Sequence, residues 1–125
     1  MFALTQSMRY FLCPGATDMR KSFYTLSGLI TNIMEQDVRT GDVYVFVNRN
    51  RNQIKILHAE DNGLVLYIKK LDCGTFQVPK YEEKTKSFPM DWPTLIHFLK
   101  GIESHQDSRY NRLKALKKTN IYYHK

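Results

Sequence analysis

Val43-Tyr44-Val45-Phe46-Val47 constrains this chain more than any other stretch. β-Branched and aromatic residues alternate without a polar interruption, a pattern that suits a pleated strand and disfavours a helix. Both faces of that strand are apolar, so it must lie inside a sheet. Around it the sequence supplies further strand runs. Met8 to Leu12 reads as a first strand, ended by Cys13-Pro14-Gly15. Segments near 53–59, 63–71 and 75–78 follow the central strand at short spacing, and Asp61-Asn62-Gly63 offers the left-handed turn of a tight hairpin.

Two helices complete the pattern. Thr17 or Asp18 is placed to cap the first, and Met19, Phe23, Leu26, Ile30 and Ile33 recur at helical spacing, with Leu29 and Met34 beside them. Arg39-Thr40-Gly41-Asp42 is a turn, so this helix should stop near Asp37. Asp91-Trp92-Pro93 opens the second helix with a cap and a first-turn proline, after a charged connector at 80–87. Leu95, Ile96, Phe98, Leu99 and Ile102 give it one apolar face. The expected architecture is a single α+β domain: strand, helix, four-stranded antiparallel meander, helix. Helices covering one face of the sheet would leave the other partly open, and the sequence does not say which.

A length of 125 residues permits one domain with a real core, and 42% hydrophobic with 13% aromatic content argues for a folded one. No apolar run approaches a membrane span, and the first residues lack the basic and apolar regions of an export signal. The expected compartment is the cytoplasm. There Cys13 and Cys73, widely spaced, read as two buried thiols.

The net charge of +7 is uneven: residues 105–125 carry +5 and residues 1–104 only +2. The chain therefore divides into a domain over 1–104 and a basic tail over 105–125, whose 108–118 stretch could form a short helix. Arg109, Arg112, Lys114, Lys117 and Lys118 make the tail a candidate nucleic-acid arm, against the alternative of a merely solvated extension. Within the domain, Arg49, Arg51, Lys55, Lys69 and Lys70 thread the strand segments. A hairpin tip written Arg49-Asn50-Arg51-Asn52 has no evident packing use, and its cations and amides suit phosphate or base edges. Arg20 and Lys21 stand at a helix start, where side-chain cations are locally unfavourable but would join backbone amides in an anion pocket. The alternative is that Asp18 caps the helix and pairs with Arg20. Tyr44, Phe46, Tyr67 and Phe76 beside the cations could form a stacking platform for single strands, or could simply be core.

Catalysis finds little support. Asp18, Asp42, Glu60, Asp61, Asp72 and Asp91 fall mostly at caps and turns, and His58, His97, His105 and His124 show no metal-binding spacing. Neither a catalytic group, a metal site nor a cofactor is expected.

The motifs also carry a resemblance. Thr17-Asp18-Met19-Arg20-Lys21-Ser22-Phe23, Ile54-Lys55-Ile56-Leu57, Asn62-Gly63, Leu66-Tyr67, the run from Lys69-Lys70-Leu71 through Gly74 and Phe76 to Pro79, and Leu95, Phe98-Leu99 and Gly101-Ile102 resemble, in order and spacing, the TnpB-type accessory protein of the insertion-sequence-sixty-six family. The likeness runs from about Met8 to Glu103. It departs at His58-Ala59, where the family usually has an aromatic, and at Lys70, which replaces a usual Arg. The resemblance implies a small non-catalytic protein that supports transposition, with the element's transposase and other proteins as partners. Two functions stay open: direct DNA binding, or docking onto the transposase with no direct DNA role. An unrecognised enzyme is the remote third.

Overall fold

The computed structural model describes residues 4–102. Five strands form one sheet: β1 (Tyr10–Leu12), β2 (Val43–Val47), β3 (Gln53–Glu60), β4 (Gly63–Lys70) and β5 (Phe88–Met90), in the order β4-β3-β2-β1-β5. Helix α1 (Phe23–Asn32) connects β1 to β2, which run parallel, and every other neighbouring pair is antiparallel. Helix α2 (Trp92–Lys100) follows β5. The domain is α+β, as the element pattern predicts.

The strand 43–47 is central and buried at all five positions. Its alternation has a consequence that overturns one expectation. Tyr44 and Phe46 pack with Leu57, Leu26, Ile30 and Met34, so α1 covers that face. Val43, Val45 and Val47 pack with Ile54, Ile56, Leu95 and Phe98, so α2 covers the other. The two helices do not share one face, because a strand apolar on both sides needs cover on both sides.

The meander has three strands, β2 to β4. The fourth expected strand, at 75–78, contributes a single bridge between Thr75 and Ile102. Phe76 there turns inward, 2% exposed, and stacks on Phe98 with ring centroids 5.6 Å apart. The fifth strand is instead Phe88–Met90, which pairs with β1.

Helix α1 starts later and ends earlier than its periodicity suggests. Asp18 does not cap it: its carboxylate accepts from the Arg20 backbone N–H at 2.9 Å, and its carbonyl accepts from Lys21 N–H at 3.1 Å, closing a separate turn. Ser22 is the cap residue, with its N–H donating to Thr25 Oγ1 at 2.8 Å. Glu35 adopts a left-handed backbone (φ 56°) just past the end, and Asp37 caps a short 3-10 turn, Val38–Thr40. Phe23 and Ile33 are exposed, and the buried residues of the helix are Leu26 and Ile30, with Met34 buried just beyond its end. Asp91 caps α2 as expected, accepting from Thr94 N–H at 2.9 Å. Cys13 and Cys73 are both buried, and burial pushes the Cys13 thiol up.

Candidate nucleic-acid interface

Strand direction sorts the charged residues. β1 and β2 finish at one end of the sheet, β3 begins there and β4 finishes there. Cross-strand pairing lines up Val47 with Ile54 and Ile54 with Lys69, while Lys70 lies opposite Gln53. Thr17 N–H donates to Val47 O at 2.8 Å, tying the loop that carries Arg20 and Lys21 to this same end. Seven cations therefore converge from four segments: Arg20, Lys21, Arg49, Arg51, Lys55, Lys69 and Lys70. The opposite end holds Asp42 beside β2, paired with Arg9, Arg39 in the turn before β2, and Glu60 and Asp61 at the β3–β4 turn. One end of the sheet is basic and the other acidic.

The seven are not equivalent. Lys55 is 7% exposed and donates through Nζ to Lys21 O at 2.6 Å, so its ammonium fastens β3 to the loop before α1. Lys69 Nζ donates to Leu99 O at 3.1 Å, holding the last turn of α2. Arg20 donates through Nε and Nη2 to both Asp18 oxygens, at 2.6 Å for the closest. That pairing, with the Arg20 backbone bond, holds the Asp18 carboxyl down at about 2. The structure thus contains the Asp18–Arg20 pair that the sequence offered as an alternative. Lys21 is half-buried, and Arg49, Arg51 and Lys70 are exposed.

Arg49 and Arg51 flank a depression of about 150 Å³ lined by Gly15, Ala16, Val47, Asn48, Val78 and Tyr81. It lies beyond the carboxyl ends of the parallel pair β1 and β2, where open sheets with parallel strands commonly take ligands. Tyr81 closes one wall, accepting from Gly15 N–H at 2.6 Å.

The asparagines of the tip do have a packing use, contrary to expectation. Asn48 Oδ1 accepts from the N–H groups of Asn52 and Gln53, each at 3.0 Å, and Asn48 Nδ2 donates to Asn52 Oδ1 at 2.7 Å. Arg51 takes a left-handed backbone (φ 57°) and its carbonyl accepts from Phe76 N–H at 2.7 Å. These bonds fix the turn, so two of its three amides are committed to structure and Asn50 alone is exposed. The aromatic platform is likewise absent from the sheet: Tyr44, Phe46 and Phe76 are core, and only Tyr67 is part-exposed. Tyr24, three residues after Lys21 in the first turn of α1, is 89% exposed and is the aromatic that the sequence reading did not single out.

Asp42 and His58 are built into the fold. Asp42, 8% exposed, receives Arg9 Nε at 3.0 Å and Nη2 at 2.6 Å, and the guanidinium holds its carboxyl below the ordinary value. His58 is buried with Nδ1 3.5 Å from Asp42 O, and His97 is exposed. Among the described residues no three His, Cys, Asp or Glu side chains group to hold a metal, and no helix is long and apolar enough to cross a membrane. The tail cations Arg109, Arg112, Lys114, Lys117 and Lys118 lie outside the described residues.

Comparison with known proteins supplies the context for this geometry. The model of a family described as IS66 Orf2 like protein matches residues 8–109. An uncharacterized protein, y4hO, of Sinorhizobium fredii (strain NBRC 101917 / NGR234) is 30% identical over 77 residues, covering 62% of this chain and 67% of that protein. No solved structure matches. The family match spans most of the chain, from the start of β1 past the end of α2, and the chain accordingly belongs to the IS66 Orf2-like family of transposon-associated accessory proteins.

Proposed function

We propose that this protein is a non-catalytic DNA-binding factor of its insertion-sequence element, gripping the phosphate backbone with the basic end of the sheet. The observation that carries this is the gathering of seven cations at one end, against Asp18 and Asp72 there, while Asp42 (paired with Arg9), Glu60 and Asp61 occupy the other. Such a dipolar surface attracts a polyanion in one orientation. Arg49 and Arg51 make the direct contacts, with Lys21 and Lys70 flanking and Tyr24 within reach of the same strand. Lys55, Lys69 and Arg20, already bonded within the protein, contribute field and hold the loops in place. The tail cations Arg109, Arg112, Lys114, Lys117 and Lys118 add positive charge to the chain. The contacts assigned here are to phosphate, so binding is expected to depend on phosphates more than on sequence.

The test is binding of the full chain to a labelled transposon-end duplex and to scrambled duplex across a salt series. Each phosphate contact adds about 0.9 to the slope of log affinity against log salt. Arg49→Ala/Arg51→Ala should lower that slope by roughly 2 and leave the melting temperature unchanged, because both side chains are exposed. Unchanged affinity removes the turn from the interface, and no binding at low salt ends the DNA reading. A second reading, docking onto the transposase, draws on the internal use of Lys55 and Lys69. A stable complex with the transposase that excludes DNA would support it.

A further inference from the structure

The depression between the β2–β3 turn and the loop after β1 is more than a flat basic surface. Arg49 and Arg51 both line it, and among the described residues that line it none is acidic. Each wall is fastened to the domain. Arg51 has a left-handed backbone whose carbonyl accepts from Phe76 N–H at 2.7 Å, and Asn48 Oδ1 ties the turn through the N–H groups of Asn52 and Gln53. On the facing side Thr17 N–H holds the loop to Val47 O at 2.8 Å, and Gly15 N–H donates to Tyr81 Oη at 2.6 Å. The Tyr81 ring packs on Phe88, with centroids 5.9 Å apart. Having accepted the Gly15 bond, Tyr81 Oη keeps its own proton to donate. Two guanidinium side chains and a phenolic O–H thus border one concave space, on backbone that is ordered before a ligand arrives.

Size and charge define the ligand. A volume of about 150 Å³ suits one polar group with its water, and lies below the roughly 300–1,000 Å³ of a whole small-molecule pocket. An internal phosphodiester of a duplex carries a single negative charge. A phosphomonoester carries close to two at neutral pH and offers three acceptor oxygens, enough to engage both arginines and the tyrosine hydroxyl together. We propose that this depression is a phosphomonoester site that takes the terminal phosphate of a nucleotide. That phosphate comes from the end of a DNA strand or from a free mononucleotide. The strand-end source rests on the DNA-binding reading above; the site itself does not.

The test measures binding of the full chain to one blunt duplex made with 5′-phosphate or with 5′-hydroxyl ends, and to deoxyadenosine monophosphate alone. The phosphorylated duplex should bind about tenfold tighter. That preference should shrink as pH falls from about 7.5 to about 5, because the phosphate takes up its second proton at about 6. Ala16→Glu sets a carboxylate at an exposed position on the lining, and should bring the two duplexes level with the melting temperature unchanged. Tyr81→Phe, which keeps the ring, should cut the preference to about twofold. Deoxyadenosine monophosphate that saturates the wild type but not Ala16→Glu, with the two duplexes equal, assigns the site to a free nucleotide. Equal duplexes with no saturable binding of the mononucleotide overturn the proposal and leave the backbone grip standing. A preference that survives Ala16→Glu overturns it too. Failure of both duplexes to bind at low salt ends the DNA reading, and the mononucleotide alone then decides the site.

Discussion

Replacing Gly101 with alanine should be one of the most damaging single-methyl changes in the domain. Gly101 follows α2 with φ 71° and ψ 169°, a region that residues with a Cβ scarcely enter, at a cost of about 1–3 kcal/mol. The new Cβ would also stand 3.0 Å from Leu71 Cδ1 and 3.1 Å from Thr75 O. The leucine methyl can swing away, but the carbonyl cannot: it accepts from Ile102 N–H at 2.6 Å, while Thr75 N–H donates to Ile102 O at 3.1 Å. Relieving that contact adds about 1 kcal/mol, giving a total near 2–4 kcal/mol. For a domain of this size that lowers the melting temperature by roughly 10–20 °C. The control is Gly28→Ala in the middle of α1. There the nearest neighbour to a built Cβ is Asn32 Nδ2 at 4.0 Å, so only the helix gains, by about 0.5–1 kcal/mol. The same chemical change should therefore shift the two melting curves in opposite directions, and urea unfolding should give the same signs. A Gly101→Ala protein melting within about 2 °C of wild type would refute the assigned backbone and the Thr75–Ile102 bridge.

Asp42→Asn should cost about 1–2 kcal/mol at neutral pH, toward the lower end because the Arg9 side chain is 69% exposed and rehydrates. The Asp42 carboxyl titrates below its unfolded value, so its contribution is present above that value, near 3.9, and is lost as pH falls through the folded one. Melting curves of wild type and variant should converge on acidification, and a gap independent of pH would refute the pairing. Asn48→Ala strips the acceptor from the N–H groups of Asn52 and Gln53 and should cost about 1–3 kcal/mol in urea unfolding. The salt slope of DNA binding should stay unchanged in that variant; a lower slope would put Asn48 on the nucleic acid.

Where a segment's structure is decided locally, the sequence is a faithful guide. Strand 43–47 is read from alternation alone, and the hairpin of β3 and β4 from Asp61-Asn62-Gly63 between two apolar runs, with Asp61 taking the left-handed backbone (φ 42°). Helix α2 is read from its Asp91 cap. β5 is illegible because three residues around a proline are a strand only by virtue of pairing with distant β1. The opposite error, at 75–78, has the same root: among the described residues this strand-like stretch makes one bridge, to Ile102, and one backbone bond, from Phe76 to Arg51 O, too few for a ladder. Lysines show the limit for the site. In Ile54-Lys55-Ile56 alternation puts Lys55 on the face opposite the isoleucines, and it is there, but alternation does not say that the Lys21 carbonyl waits above it. What the sequence does contain is the charge polarity. The β2–β3 turn carries Arg49 and Arg51, and the β3–β4 turn carries Glu60 and Asp61. Antiparallel strands send successive turns to opposite ends of a sheet, so an alternation of turn charge along the chain becomes a separation of charge in space. The turns, read for sign and counted by strand, locate the basic end before any side chain is placed.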